Sequence, residues 1–90
     1  MYFVYILHSK IHDRFYVGHT NSIERRLKEH NEGRNPSTKP YIPWELLETI
    51  IKEDKASAYQ LEMKLKNLSR ERKLAFIDWC KNDSIGFITH

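Results

Sequence analysis

Cysteine is almost absent from this 90-residue sequence, in which Cys80 stands alone. A single cysteine excludes an internal disulfide and any metal site that is built from several thiolates. We interpret Cys80 as a small apolar residue on a helix. The fold must therefore rest on a hydrophobic core, and 90 residues provide for one modest domain.

Long apolar runs are absent as well. The N-terminal apolar run covers about six residues, 2–7, whereas a helix that spans a membrane needs about 20. The run also has neither the basic leader nor the small-residue cleavage site of a signal peptide. We therefore predict a cytoplasmic protein without a membrane partner.

The sequence has no strong excess of either charge. A net charge of +3 and a pI near 9.1 are mildly basic, which is compatible with a nucleic-acid partner without requiring one. The hydrophobic content of 40% and the aromatic content of 12% indicate a folded domain and exclude a disordered tail.

Two short segments at the start of the chain are rich in aromatic and β-branched residues. They cover residues 2–8 and 14–19 and are separated by five residues, a pattern that is typical of a β-hairpin. A turn centred at residues 10–11 places Tyr5 and Tyr16 almost opposite each other on the two strands, where cross-strand side chains can touch.

The first strand is apolar on both of its faces. Val4 and Ile6 point one way while Tyr5 and Leu7 point the other, which predicts a strand that is central in its sheet or covered on both sides. In the second strand Gly18 removes a side chain, and a strand glycine often marks a close approach of other atoms.

The remaining segments are predicted from caps, prolines and periodicity. Asn21, with Glu24 three residues on, is typical of a capping box, and Gly33 is a suitable helix stop. The predicted elements are a helix over 22–31, a loop over 34–43 that is neither helix nor central strand, a strand over 44–51, a helix from Asp54 or Ser57 to 68, and a helix over 69–81 with Leu74, Ile77 and Cys80 facing inward. The order β-β-α-β-α-α predicts an α+β fold, a three-stranded antiparallel sheet with flanking helices. We predict one domain over residues 1–81 and a C-terminal tail over residues 82–90.

Two of the predicted helices carry charged or polar residues on the face that should be apolar. At ~100° per residue, Arg26 and His30 share an arc of ~100° with Ile23 and Leu27. Glu62 lies in the same way within the apolar stripe of the helix after the third strand. A guanidinium near a core needs an anion, and an unpaired buried carboxylate is costly.

These residue types match the needs of phosphodiester hydrolysis, which requires an aligned water, a proton acceptor and positive charge near the phosphorus. Arg26 offers a planar fork that suits phosphate, and Glu62 can hold a hard divalent ion such as Mg²⁺. Tyr5 and Tyr16 are poor bases at an ordinary phenol pKa of ~10, but a nearby cation can make one acidic enough to activate or orient water. His30 can accept that proton or hold a tyrosine in place.

The spacing of these residues resembles that of the GIY-YIG nuclease family. Tyr5 stands in Val-Tyr-Ile, Tyr16 begins Tyr-Val-Gly eleven residues later, Arg26 follows Tyr16 by ten residues, and His30 follows by four more. The resemblance covers nearly the whole chain and is greatest to small stand-alone bacterial members. Phe-Val-Tyr here replaces Gly-Ile-Tyr, and valine replaces the isoleucine of the second motif.

The resemblance implies a metal-dependent endonuclease that hydrolyses DNA. It implies that Glu62 is the ligand of a single Mg²⁺ or Mn²⁺ ion, and it implies catalytic positions at Tyr5, Tyr16, Arg26, His30 and Glu62. Arg25, Arg34 and Lys39 are the expected contacts to the nucleic-acid backbone, which supply affinity without sequence readout. The chain has no helix-turn-helix, zinc finger or arginine-rich arm, so we expect it to select DNA structure, as nucleases of repair or recombination do.

Other interpretations of the same residues remain open. The chain can be a binding module that holds nucleic acid without cutting it, or a structural protein in which Arg26 and Glu62 form only an ion pair. Glu48 and Glu53 compete with Glu62 as metal ligand. We interpret the remaining histidines as surface or turn residues, namely His8, His12, His19 and His90.

Overall fold

A three-stranded antiparallel sheet carries the fold. The computed structural model describes residues 1–83, so the expectations for residues 84–90 of the predicted tail, His90 among them, lie outside the described part. The elements are β1 Tyr2–Ser9, β2 Arg14–Thr20, α1 Ile23–Asn31, a short 3-10 helix Lys39–Tyr41, β3 Glu45–Lys52, α2 Lys55–Lys66 and α3 Arg70–Asp83. The predicted α+β class and the order β-β-α-β-α-α are confirmed.

β1 is the central strand, in the sheet order β2-β1-β3. This agrees with its two apolar faces, because Val4 and Ile6 are fully buried on one face while Tyr5 and Leu7 are buried on the other. The first face packs against α2 and α3, and the second packs against α1 and the segment that follows it.

None of the helices within residues 1–83 is long and apolar enough to span a bilayer.

The register of the hairpin differs from the predicted one. Tyr5 pairs with Gly18, and Tyr16 pairs with Leu7, so the two tyrosines are diagonal neighbours on one face, with ring centroids 6.2 Å apart. The reason lies in the turn, in which Asp13 takes a positive φ of 52°. The centre of the turn therefore falls one residue later than predicted, between residues 11 and 12.

The ends of α1 are fixed by local hydrogen bonds. Ser22 is the N-cap, because its side chain accepts a bond from the Arg25 N–H at 3.3 Å, so the predicted cap at Asn21 is wrong. At the other end Gly33 adopts a φ of +78° and donates its N–H to the His30 carbonyl at 3.2 Å. The next N–H, that of Arg34, bonds to the Glu29 carbonyl at 3.1 Å, which completes a glycine-dependent helix stop as predicted.

The later helices agree with the sequence in most respects. Asp54 caps α2 by accepting a bond from the Ser57 N–H at 2.7 Å. In α3 the buried residues are Ile77 and Cys80, whereas Leu74 is 41% exposed, which contradicts the prediction for that residue. At ~100° per residue Leu74 lies ~60° beyond Ile77, on the opposite side from Cys80, and therefore outside the buried stripe.

The segment over residues 34–43 is not entirely loop, since residues 39–41 form the short 3-10 helix. Pro40 is tolerated there because it lies in the first turn, where its missing N–H has no partner to lose. Thr38 precedes this turn and is almost completely buried, at 1% exposure. A segment without periodicity thus contributes a buried polar side chain to the region around α1.

Candidate active site

The ring of Tyr5 lies against Gly18 on the neighbouring strand. A Cβ atom at position 18 would lie 2.5 Å from Tyr5 Oη and 2.7 Å from Cζ, which is too close for any side chain. The close approach that the strand glycine predicts is therefore made by the phenol of Tyr5. The absence of a side chain at Gly18 fixes where the hydroxyl of Tyr5 lies.

His30 connects the two tyrosines. Its Nε2 lies 3.0 Å from Tyr5 Oη, and its ring meets that of Tyr16 at 4.9 Å between centroids. His30 is fully buried, and burial lowers its pKa to about 4, with the charge of Arg26 acting in the same direction. Burial also raises the pKa of Tyr5 to about 12, so both groups are neutral at pH 7.

Thr38 completes a buried chain of hydrogen-bonding groups behind His30. Its Oγ1 lies 2.8 Å from His30 Nδ1, and the indole N–H of Trp44 donates to its carbonyl at 2.9 Å. Sequence reasoning missed Thr38, because the proline-containing segment offers neither periodicity nor a motif around it. Only the way that the segment folds back onto α1 reveals the contact.

Arg26 lies at the edge of this group, with 32% of its side chain exposed. Its Nη1 donates to Glu29 Oε1 at 2.8 Å, and this bond raises the pKa of the guanidinium. The guanidinium also counteracts part of the rise in the pKa of Tyr5. The ion pair between Arg26 and Glu62 that one alternative required is not present, because each of the two residues has other partners.

Glu62 is buried on the α2 side of the edge strand β2, at 7% exposure. Its Oε1 lies 2.5 Å from His19 Nδ1 and its Oε2 lies 2.7 Å from Lys66 Nζ. The same ammonium stands 5.8 Å from the centroid of the Tyr16 ring. Lys66 therefore connects the carboxylate on one side of β2 with Tyr16 on the other.

His19 was predicted to be a surface or turn residue, which is wrong. It pairs with Val4 in the sheet and therefore points to the face that α2 covers, where Glu62 is its partner. The available signal was its alternation with Gly18 along the strand. His8 and His12 do belong to the hairpin end, where His8 contacts Asp13 and His12 contacts the ring of Tyr41.

The two rival carboxylates lie elsewhere. Glu48 is on β3, where it accepts a bond from the Thr49 N–H at 2.9 Å, and Glu53 is exposed beyond the end of that strand. Within residues 1–83 no three histidine, cysteine or acidic side chains form a cluster that could hold a metal, so Glu62 is a single carboxylate.

An open cleft of about 370 Å³ lies beside Arg26. It is lined by Tyr2, His19, Thr20, Asn21, Arg25, Arg26, Glu29 and Lys55. Three of these residues are cations and one is an anion, which favours a negatively charged ligand. Of the predicted backbone contacts, Arg25 lines the cleft, whereas Arg34 and Lys39 are exposed and do not line it; Arg34 instead pairs with Glu32 at 3.1 Å.

Known proteins resemble this chain in sequence. The sequence model of the family described as the GIY-YIG catalytic domain matches residues 1–75 of this chain. A UPF0213 protein of Natronomonas pharaonis is 37% identical over 73 residues, which is 80% of this chain and 85% of the relative. A UPF0213 protein of Bacillus licheniformis is 34% identical over 73 residues, 80% of this chain and 75% of the relative.

The fold has a solved counterpart as well. The solution NMR structure of a UPF0213 protein from Bacillus halodurans superposes with a TM-score of 0.57 at 32% identity, and the match covers 87% of this chain and 84% of that one. The names of these relatives state no activity, substrate or metal.

Proposed function

The chain belongs to the GIY-YIG family, and from that premise we propose that it is a metal-dependent endonuclease that hydrolyses phosphodiester bonds of DNA. The observation that carries the proposal is the buried hydrogen bond between Tyr5 Oη and His30 Nε2, next to a partly exposed Arg26. The bond joins a phenol to a neutral imidazole, and a cation that can bind phosphate lies beside them. Attack by water on a phosphodiester needs these three groups.

Arg26 binds the scissile phosphate. Glu29 engages Nη1 and so orients the guanidinium, and the remaining N–H groups of its planar fork can donate to phosphate oxygens. These bonds strengthen as negative charge grows on the phosphorane oxygens. Arg26 therefore stabilises the transition state more than the bound substrate.

Tyr5 and His30 handle the proton of the attacking water. A phenol with a pKa of about 12 does not act as a base by itself at pH 7. As Tyr5 Oη takes a proton from the water, its own proton moves to Nε2 of the neutral His30. A phosphate at Arg26 offsets part of the charge that lowers the His30 pKa, so substrate binding favours this transfer. Tyr16, which is more exposed than Tyr5, packs on both rings and can position the water.

Glu62 is the carboxylate that would hold a divalent metal, in exchange for its contacts with His19 and Lys66. Mg²⁺ and Mn²⁺ prefer oxygen ligands, and Mg²⁺ commonly takes one or two protein carboxylates and keeps several waters. Glu62 is a single buried carboxylate beside His19, which lines the cleft. An ion held by Glu62 would supply positive charge for the leaving oxygen.

The cleft accommodates the backbone of the nucleic acid. Arg25 and Lys55 flank Arg26 and contact neighbouring phosphates, and the exposed Arg34 and Lys39 extend these contacts. Backbone contacts do not read sequence, so we propose that the protein selects structure, such as a single strand, nick, flap or branch. Such structures arise in repair and recombination of DNA.

The first test is cleavage of labelled single-stranded, duplex, nicked and branched DNA with Mg²⁺ or Mn²⁺. We expect the parent to cut at least one substrate and Glu62→Gln to cut it about 10²- to 10³-fold more slowly, since the variant no longer stabilises the charge of the transition state. Glu53→Gln, the same change at an exposed carboxylate, should cut like the parent. Chelator should abolish cleavage by both active proteins.

A binding module is the second candidate, because both oxygens of Glu62 already have cationic or proton-bearing partners in His19 and Lys66. Such a module would cut no DNA with either metal. It would keep an affinity that falls with salt, and chelator or Glu62→Gln would leave that affinity unchanged. This result would replace the nuclease proposal.

A further inference from the structure

Both ring nitrogens of the fully buried His30 face a hydroxyl group. Nε2 lies 3.0 Å from Tyr5 Oη and Nδ1 lies 2.8 Å from Thr38 Oγ1. A neutral imidazole carries one proton, on either nitrogen, and a hydroxyl can donate or accept. The contacts of His30 alone are therefore compatible with two tautomers.

A second contact of Thr38 favours one of the two tautomers. Its hydroxyl also lies 3.4 Å from the main-chain carbonyl of Asn35, and a carbonyl oxygen can only accept. The same oxygen receives the N–H groups of Thr38 at 3.1 Å and of Lys39 at 2.9 Å.

When the hydroxyl hydrogen of Thr38 points to the Asn35 carbonyl, the lone pairs of Oγ1 remain for His30. In that arrangement the Nδ1–H of His30 donates to Thr38, and Nε2 accepts the hydrogen of Tyr5. The Arg26 guanidinium favours the same arrangement, because it interacts with the Tyr5 hydroxyl and can only donate to it.

We propose that Thr38 is a positioning residue that holds the proton of His30 on Nδ1 and thereby keeps Nε2 open to the proton of Tyr5. The proposal rests on the nuclease function for its catalytic consequence, although the tautomer itself does not depend on that function. Thr38 touches neither substrate nor reacting atoms and acts only through His30.

The surroundings of Thr38 keep its hydroxyl in place. Its own N–H bonds to the Asn35 carbonyl at 3.1 Å, and the Trp44 indole donates to its carbonyl at 2.9 Å. The main chain of Trp44 is in turn held by the Asn31 side chain, which accepts from its N–H at 2.7 Å and donates to its carbonyl at 3.1 Å. Asn31 is the last residue of α1, directly after His30, so helix and loop are tied together at this point.

The two tautomers have opposite consequences for the reaction. With the proton on Nδ1, Nε2 has a lone pair and can receive the hydrogen of Tyr5 as Oη takes one from water. With the proton on Nε2, His30 donates to Tyr5 and cannot receive a proton at that nitrogen. After the transfer both nitrogens carry hydrogen, and Nδ1–H still donates to Thr38. The starting state is restored when His30 returns its proton to Tyr5 Oη and Tyr5 Oη releases one to solvent.

The tautomer can be measured directly from the ¹⁵N shifts of the His30 ring nitrogens, assigned by comparison with His30→Gln. We expect Nδ1–H in the parent at neutral pH and in Thr38→Ser, which retains a hydroxyl. Thr38→Val has nearly the same shape without the hydroxyl, so its ring signals should shift toward Nε2–H. A parent with Nε2–H, or a Thr38→Val ring that matches the parent, would overturn the proposal.

Kinetics test the catalytic consequence. We expect Thr38→Val to lower kcat about 10-fold or more with KM unchanged, and Thr38→Ser to restore most of it, since the loss concerns proton transfer and not binding. A purely structural role would lower Tm in Thr38→Val but leave kcat of the folded protein intact, which would overturn the positioning role. If the parent cuts no DNA but has Nδ1–H that Thr38→Val loses, the nuclease proposal fails while the assignment of Thr38 to the tautomer stands.

Discussion

At the scale of single residues, the position of Tyr5 depends on the empty space at Gly18. We predict that Gly18→Ala lowers cleavage at least 10-fold and costs about 1–3 kcal/mol of stability, because the new Cβ would meet Tyr5 Oη at 2.5 Å and displace it from His30. Cleavage rates and urea unfolding check this. Tyr5→Phe separates the two effects, since it removes the hydroxyl without adding bulk at position 18. Full activity in Gly18→Ala would show that the hydroxyl need not lie where Gly18 puts it.

A second prediction concerns the pH dependence of stability, which follows from the burial of His30. In the unfolded chain His30 takes up a proton near its ordinary pKa of 6.5, whereas in the folded protein it stays neutral down to about 4. The unfolded state therefore binds more protons between these values, and stability should fall as the pH drops from about 6.5 to 4, by roughly 3 kcal/mol in all. Above pH 6.5 this contribution is fully present.

Urea unfolding as a function of pH measures the effect. In His30→Gln the pH dependence of stability in this window should be flatter than in the parent, whatever the absolute stability of the variant. His12→Gln replaces an exposed histidine and should retain the parental slope. An unchanged slope in His30→Gln would mean that another group causes the pH dependence.

At the scale of elements, the C-terminal end of α1 determines how the following segment returns to the site. The stop depends on Gly33, whose φ of +78° suits glycine and costs other residues about 1–2 kcal/mol. We predict that Gly33→Ala lowers the free energy of unfolding by about that amount. Each kcal/mol lost should lower Tm by about 4–8 °C. Calorimetry checks the value, with Gly33→Asn as the control, because asparagine tolerates this conformation better. Equal losses in both variants would point to a cause other than the backbone angle.

At the scale of the whole molecule, the cleft concentrates positive charge that the net charge of +3 does not reveal. We predict that the double variant Arg25→Ala/Lys55→Ala binds DNA more weakly. The slope of the logarithm of the association constant against the logarithm of the salt concentration should become shallower. We expect a change of about 0.9 for each duplex phosphate that the variant no longer neutralises. Fluorescence anisotropy over a salt series, in chelator, measures this.

The matched control is Lys28→Ala/Lys64→Ala, which also removes one exposed cation from α1 and one from α2, both away from the cleft. It should keep the parental slope apart from a small effect of net charge. Equal effects of the two double variants would show that binding follows overall charge and not the cleft.

Sequence patterns were sufficient to predict the strands and the α-helices, because periodicity, caps and turn residues act over a few neighbouring positions. It also singled out Arg26, His30 and Glu62, since a charged or polar residue in an apolar stripe is visible without a structure. The hairpin register was missed by two residues, which moves the centre of the turn by one, because no sequence pattern shows the angle that Asp13 adopts in the turn.

Tertiary structure alone decided the partners of these residues. The contact of Glu62 with His19 joins positions 43 residues apart, and it exists because α2 covers one face of β2. Thr38 reaches His30 only because an aperiodic segment folds back onto the end of α1. Such contacts depend on how whole elements pack against each other, and the packing is decided by the sum of many weak apolar contacts that no single stretch of sequence contains.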